Sequence, residues 1–406
     1  LAAFGRAVFE RWLESGAPAK EVWALDQLGA TGDDATVRLL APLVRAWGDG
    51  SGVARATHGL DALVGIGSDA AMGAVYDIML KTRSSALWKE ARRKFDLAAA
   101  ERGLTVERFA DRLVPGFGLD AAGSMVLDYG PRRFTVGFDE QLKPFVADES
   151  GKPRKSLPKP GAKDDPDLAP AAYAAFATLK REVRAVAADQ RRRLQRAMLA
   201  GRRWDPAEFR DLVAGHPLVR HLARRLVWTA HDPTADDPTA HDGGTVAAFR
   251  VAEDGTFADV HDDAFTVPGS ALIGLPHPLH LGADAVDAWS EVFADYEILQ
   301  PFPQLGRPVV VLTEAERHAD RLDRVAGVRL TEAAVEGLRR RGWYTDRYRS
   351  LERTIGGVHR VDVEAERAGD DRVLGTVRLA GGARTFGELD PVRLSETLTA
   401  LTDAAG

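Results

Sequence analysis

The feature that most constrains this chain is an internal repeat near its N-terminus. The stretch LDQLGATGDDA at 25–35 returns as LDALVGIGSDA at 60–70, and a fainter third copy begins at Phe95. Each copy indicates a helix, a short turn rich in Gly and Asp, and a second helix, because its apolar residues recur at spacings of three and four. The turns predict Asp34 and Asp69 as the N-caps of the second helices. Such units bury their apolar faces only against one another, so we predict a helical stack.

Two-helix units of this period resemble HEAT-type repeats, which commonly present a concave surface to a protein partner. Two interpretations stay open for this region. It is a partner-binding surface, or it is a structural flank of the remaining chain.

Composition bounds the remaining possibilities. A chain of 406 residues is too long for one ordinary core, so we expect two or three domains. Cysteine is absent, which excludes disulfides, thiolate zinc sites, iron–sulfur clusters and cysteine nucleophiles. The 54 basic and 60 acidic residues give a net charge of −6, so nucleic-acid binding would need a local basic patch. We find no apolar stretch of membrane-spanning length and no signal peptide, so we expect a cytoplasmic protein; because it starts at Leu1, we expect a piece of a longer one.

Beyond the repeats, the pattern predicts helices mixed with antiparallel strands. The expected elements are a helix from Thr105, a hairpin of MVLDY and RFTVGF, a long helix over 170–199 with Gly201 at its C-cap, a helix capped by Asp205, a helix over HPLVRHLARRLVW, a hairpin in TVAAFRVAEDGTFADV, a helix from Asp284, a strand at Val309–Leu312, a helix from Thr331, strands in HRVDVEAE and RVLGTVRLA, and a last helix capped by Asp390. The predicted fold class is α+β: a HEAT-like stack over 1–114, a mixed core over 115–320 and an α+β extension over 321–406.

No familiar catalytic motif is present. GKPRKS at 151–156 lacks the first glycine and the strand-to-helix context of a phosphate-binding P-loop. TAHDPTADDPTAHDGG holds His and Asp at no recognised ligand spacing, and we interpret it as a polar surface loop. His277 and His280 have chelating spacing only within a helix, and the flanking Pro276 and Pro278 argue against one. We predict no metal and no cofactor, and we favour a protein without catalytic activity over an enzyme.

Two basic segments remain. GKPRKSLPKPGAKDD at 151–165 is predicted to be an extended, ordered strap anchored by Leu157, because its prolines disfavour helix and central strand. Six arginines at 191–203, followed by Trp204, would suit a nucleic-acid backbone. Interspersed acidic residues favour a solvated face instead, so nucleic acid is the less favoured partner.

A series of segments then suggests a family. LKPFVADESGKPRKSLPKP, GRRW, HPLVRHLARRLVW, FRVAEDGTFADV, HPLHL and DYEILQPFPQLGRPV follow one another over roughly 104–318, and SETL lies at 395–398. In this order they resemble the bacterial MolR-like domain of unknown function, named after a supposed regulator of molybdate metabolism. The resemblance implies a cytoplasmic role in an assembly with a MoxR-type AAA+ ATPase, since such domains tend to be encoded beside one. It supplies no catalytic residues.

The leading hypothesis is a non-enzymatic cytoplasmic scaffold, adaptor or regulator that binds a protein partner through the helical repeats. The alternative is an undescribed enzyme or a nucleotide- or nucleic-acid-binding module with a basic pocket lined by loops, where binding residues concentrate. The candidate ligand- or partner-binding residues are Lys155, Lys159, Arg202, Arg203, Trp204, His277, Gln304 and Arg307.

Overall fold

The predicted α+β class is confirmed. The computed structural model describes residues 1–234, 245–345 and 350–405, and the chain separates into two compact units, Leu1–Gly118 and Leu119–Gly406. The first unit is helical, and the second combines helices with antiparallel sheets. We predicted divisions after residues 114 and 320; compactness divides the chain after Gly118.

The first unit is a succession of helices joined by short turns. They are α1 (Ala2–Glu14), α2 (Trp23–Asp26), α3 (Leu28–Thr31), α4 (Asp34–Asp49), α5 (Val53–Ile66), α6 (Asp69–Lys81), α7 (Ser85–Glu101) and α8 (Val106–Arg112), with a 3₁₀ turn at Ala19–Glu21. Helix α4 packs against both α5 and α6, and α5 packs against both α6 and α7, so these helices contact more than their immediate neighbours in the chain. The predicted helical stack is therefore present, and its assignment as HEAT-type stays an interpretation.

Hydrogen bonds join equivalent positions of successive repeats. The Ser68 hydroxyl donates to Asp34 at 2.7 Å, and the Thr82 hydroxyl donates to Asp49 at 2.8 Å. These pairs are 34 and 33 residues apart in sequence, close to the repeat period. Each repeat thus uses a side chain near its turn to bind the next repeat.

The predicted N-caps Asp34 and Asp69 are wrong by one residue. Asp33 caps α4, accepting from the Thr36 amide in a capping box, and Ser68 caps α6. A cap residue needs an extended backbone, and Asp33 and Ser68 supply it. Asp34 and Asp69 already lie in the first turn, where their charge favours the positive end of the helix dipole.

The second unit begins with a four-stranded antiparallel sheet. Its strands are β1 (Ser124–Asp128), β2 (Arg133–Phe138), β3 (Pro144–Asp148) and β4 (Pro153–Arg154), in that order. The β1–β2 hairpin was predicted, whereas β3 and β4 were not. The predicted strap is confirmed, since β4 is its first part, Leu157 is 6% exposed, and the Tyr129 hydroxyl donates to the Pro158 carbonyl at 2.9 Å.

A long helix leads to a second sheet. The helices here are α9 (Leu168–Leu199), α10 (Pro206–Glu208), which continues into a π-helical turn at Phe209–Ala214, and α11 (Arg220–Ala223). The strands are β5 (Arg203–Trp204), β6 (Val227–His231), β7 (Thr245–Val251), β8 (Phe257–Ala258) and β9 (Leu272–Gly274), in the antiparallel order β5-β9-β6-β7-β8. Helix α9, the Asp205 cap and the β7–β8 hairpin were predicted.

Two predictions fail around this sheet. HPLVRHLARRLVW is helical only at Arg220–Ala223, and its end enters β6, a central strand whose residues are all buried. A continuous apolar run suits a buried strand as well as a helix. Here pairing within the sheet determines that the end of the run is a strand. Pro278 does not forbid a helix, because it occupies the first position of α12 (Pro278–Leu281), where a missing N–H costs nothing.

The third sheet follows α13 (Ala283–Asp295) and lies in the last part of the chain. Its surroundings include α14 (Glu314–Arg317), α15 (Glu332–Arg340), a 3₁₀ turn at Phe386–Glu388 and α16 (Pro391–Asp403). The strands are β10 (Arg321–Leu322), β11 (Arg329–Leu330), β12 (Tyr344–Thr345), β13 (Ser350–Ile355), β14 (His359–Ala368) and β15 (Asp371–Gly381). They form the antiparallel order β10-β15-β14-β13-β12, and β11 also pairs with β15.

The predicted strand at Val309–Leu312 is wrong. The segment joins no ladder with any strand that the structure describes, and the Val310 amide donates to the Ser395 hydroxyl of α16 at 2.8 Å. Val310 and Leu312 pack on the core while Val309 and Val311 are exposed, which explains why the pattern resembles a strand. Among the described residues, none of the helices has both the length and the apolar character that a membrane crossing requires.

Candidate functional site

A cavity of about 750 Å³ opens in the second unit. Its walls come mainly from four segments at 199–203, 274–280, 310–312 and 386–394. These segments are the end of α9 with β5, the turn from β9 into α12, the extended stretch beside α16, and the start of α16 with the turn before it. Ends of elements and loops from distant parts of the sequence thus converge on one space, as they do in many ligand sites.

The end of α9 places two predicted arginines at this cavity. Gly201 adopts a φ of +60° just after the helix, and the Arg202 amide donates to the Ala197 carbonyl at 2.9 Å. This glycine-terminated end, the Schellman motif, reverses the chain, so that Arg202 and Arg203 both line the cavity. The Arg202 guanidinium lies 4.5 Å from the ring centroid of Trp204, whose side chain is in the core.

The lining combines apolar surface with positive charge. Its apolar members include Leu275, Leu279, Val310, Phe386 and Leu394. Arg202, Arg203 and Arg317 add three guanidinium groups, and His231 and His280 add two imidazoles.

The two carboxylates of the lining are occupied by local backbone. Glu388 accepts from the Arg384 amide at 3.1 Å, and Asp390 accepts from the Arg393 amide at 2.7 Å as the predicted cap of α16. Each carboxylate therefore stabilises its own turn.

A largely buried ion cluster lies next to the cavity wall. Both carboxylate oxygens of Glu396 in α16 accept from the guanidinium of Arg307, and the Nε2 atom of His277 lies 3.3 Å from the same carboxylate. The His277 Nδ1 accepts from the Leu279 amide, so Nε2 carries the proton that is donated to Glu396. Burial would raise the pKa of Glu396, but hydrogen bonds from Arg307 and His277 outweigh it and lower the pKa to about 2.

This cluster holds separate segments together, and its histidine is not placed to act in catalysis. His277 is fully buried, and both of its ring nitrogens are used within the protein. A general acid or base has to reach the substrate, and this imidazole does not. Glu396 instead links α16 to the β9–α12 turn and to the loop of Arg307.

Gln304 is a second structural bridge. Its Oε1 accepts from the Val227 amide, and its Nε2 donates to the carbonyls of Val227 and Pro276. The side chain is fully buried and tied to the central strand β6, so it holds the wall rather than facing the cavity.

The eight candidate residues therefore divide among three places. Arg202 and Arg203 line the cavity, and Trp204, His277, Gln304 and Arg307 form the protein behind it. Lys155 and Lys159 are exposed on the strap, outside the cavity lining.

Sequence reasoning missed other members of the site. Arg317, His231 and His280 line the cavity, and Glu396 and Ser395 support its wall. SETL at 395–398 was the only signal near the last two, and it gave no indication of their partners.

The described residues contain no group of three or more His, Asp or Glu side chains arranged for a metal ion. Most of the stretch TAHDPTADDPTAHDGG, at 235–244, lies outside the described residues. The His277 and His280 rings have centroids 6.4 Å apart, and His277 is engaged as described above.

Comparison with known proteins extends these observations. Residues 151–343 match the model of a domain of unknown function, DUF4132, which covers three of the four walls and excludes the wall at 386–394. The chain is also similar to the uncharacterized protein YehI of Escherichia coli K12, with 36% identity over 410 residues. That alignment covers 98% of this chain and 33% of YehI, so the chain spans about a third of the length of this relative. No solved structure matches the chain.

Proposed function

We propose that the second unit binds a small organic anion in its cavity. The observation that carries this proposal is the meeting of apolar surface and three arginines in one space of about 750 Å³. Pockets for small ligands are mostly apolar with a few convergent polar groups, and this volume lies in their usual range. The proposal falls within the nucleotide-binding alternative drawn from the sequence.

The lining indicates the chemistry of the ligand. Leu275, Leu279 and Phe386 suit an apolar or aromatic body, whereas Arg202 and Arg317 suit a carboxylate, sulfonate or phosphate.

Anilinonaphthalene sulfonate is a suitable probe, because it joins an aromatic body to one anionic group. We expect a saturable fluorescence titration with one site per chain. Arg202→Gln and Arg317→Gln should each weaken binding roughly tenfold, as expected for loss of a charged hydrogen bond. Arg210→Gln, an exposed arginine outside the cavity, is the matched control. Equal affinity in all four proteins would contradict the proposal, and competition by nucleotides or carboxylates would then narrow the natural ligand.

We also propose a second function, an adaptor role for the helical array in the cytoplasm. Phe4 of α1 and Trp23 of α2 are 72% and 59% exposed, and these two helices pack against each other. Exposed aromatic side chains on neighbouring helices suit a protein interface. The resemblance to the MolR-like domain suggests a MoxR-type AAA+ ATPase as the partner.

Gel filtration of the chain together with a purified MoxR-type ATPase encoded in the same genome tests this role. We expect co-elution that Phe4→Ser and Trp23→Ser each weaken, while Val126→Ser, at an exposed apolar site in the second unit, leaves it unchanged. Separate elution of the unaltered proteins would refute the ATPase as partner.

A further inference from the structure

A second cationic cluster lies away from the cavity, in α11 and the turn after it. Arg220 and His221 are buried, and Arg224 and Arg225 are half-buried. None of these four residues lines the cavity. Three guanidinium groups within six residues of sequence thus lie in or near the protein interior.

These arginines contact only backbone oxygens in the part of the chain that the structure describes. Arg220 donates to the Ala121 carbonyl, and Arg224 donates to the Glu253 carbonyl. Arg225 donates to the carbonyls of His221 and Leu299 at 2.8 and 3.1 Å. The Nε atoms of Arg220 and Arg224 and both ring nitrogens of His221 are buried without a hydrogen-bond partner.

Two of the nearby carboxylates, Asp120 and Asp139, accept hydrogen bonds within their own turns. Asp120 accepts from the amides of Ala122 and Ser124, and Asp139 accepts from those of Gln141 and Lys143. Each therefore stabilises its own turn and acts on the arginines only through its charge. Buried cations in proteins are normally paired, because an uncompensated buried charge is costly.

Electrostatics agree with this geometry. Burial, and then the charges of Arg220, Arg224 and Arg225, lower the pKa of His221 to about 4, so its ring is neutral at pH 7. Burial also lowers the pKa of Arg220 and of Arg225. Asp120, Asp139 and Glu140 act on the cluster through space, but among the described residues none of its arginines has a hydrogen-bonded carboxylate partner.

We propose that Arg220, Arg224 and Arg225 form a binding site for a phosphate group. One phosphate dianion offers several acceptor oxygens in a small volume, which suits adjacent guanidinium forks. Arg224 and Arg225 are exposed enough to reach it from solvent, and Arg220 supports them from within. The phosphate is either inorganic or part of a nucleotide.

The test is thermal unfolding of the full chain at low ionic strength. The arms are chloride alone, inorganic phosphate, and adenosine diphosphate at matched ionic strength. In phosphate we expect the Tm of the unaltered chain to rise by a few degrees, because a ligand that binds only the folded state stabilises it. Arg224→Gln and Arg225→Gln should abolish this rise. In chloride alone, Arg224→Gln should match or exceed the parent Tm, since it removes a repelling charge.

Two controls separate this site from the cavity. Arg321→Gln, an exposed arginine of β10, should retain the full response to phosphate. Arg202→Gln should also retain the response to inorganic phosphate, which lacks the apolar body that the cavity suits. Failure of cavity binding and failure of this site are therefore distinguishable. A response only to adenosine diphosphate assigns the site to a nucleotide. An equal rise in every variant, or no rise in the unaltered chain with either anion, overturns the proposal.

Discussion

At the scale of single residues, buried polar side chains in the second unit join segments that are distant in sequence. Glu396 brings together Arg307 and His277, and Gln304 ties β6 to the turn before α12. Low dielectric surroundings strengthen such bonds when every group has a partner, and they make the loss of one partner expensive. The cavity wall therefore depends on a few side chains that do not line the cavity.

Glu396→Gln should lower the free energy of unfolding by about 3 kcal/mol at pH 7, because it leaves Arg307 without its buried counter-charge. The pKa of Glu396 is depressed in the folded state, so its contribution is present above the unfolded pKa of about 4.5 and is lost as the pH falls towards about 2. Urea unfolding between pH 7 and pH 2 measures both effects.

The variant should lose less stability than the parent over that interval. Glu291→Gln, on the exposed surface of α13, serves as the control and should change stability by no more than about 0.5 kcal/mol. If Glu396→Gln shows the same dependence of unfolding free energy on pH as the parent, other carboxylates cause the loss of stability in acid.

Single residues also show how far the sequence predicts the site. Arg202 and Arg203 were predicted because the GRRW segment is polar and lies in a predicted loop, where binding residues concentrate. Glu396 and Arg317 were not, because their roles depend on partners brought near only by the fold. Local signals identify caps and turns, whereas a contact between Arg307 and Glu396 leaves no local trace.

At the scale of elements, helix boundaries follow the backbone of the cap residue rather than its charge alone. The actual caps are Asp33 and Ser68, and in both repeats the sequence pattern led instead to the Asp that follows the cap. Ser68 has the extended backbone, accepts from the Ala71 amide and also donates to Asp34 of the preceding repeat. One hydroxyl thus both begins a helix and binds two repeats together.

Ser68→Ala should destabilise the first unit by about 1 kcal/mol, the usual cost of a lost cap, and its neighbour Asp69→Ala should cost less. Hydrogen exchange of the α6 amides, together with thermal unfolding, would show this order. A larger loss of stability in Asp69→Ala than in Ser68→Ala would show that Asp69 is the cap.

At the scale of the whole molecule, the sequence predicts the class and many elements but not the sheets. The strand signals of β1, β2, β14 and β15 were read correctly, since each alternates or ends at a clear turn. Strand β6 was hidden in an apolar run that also suits a helix, and β4 and β5 have two residues each. Their existence depends on a neighbouring strand, and pairing partners are long-range information.

The cavity forms late in folding, because its walls come from segments that are far apart in sequence. Arg202 lies at the end of α9 and Pro391 at the start of α16, so the space between them exists only after most of the second unit has assembled. Contacts between such distant segments carry a large entropic cost and tend to form late. Occupancy of the cavity would therefore report that most of the second unit has folded. A ribosome-bound chain that ends before α16 should be unable to bind the proposed anion.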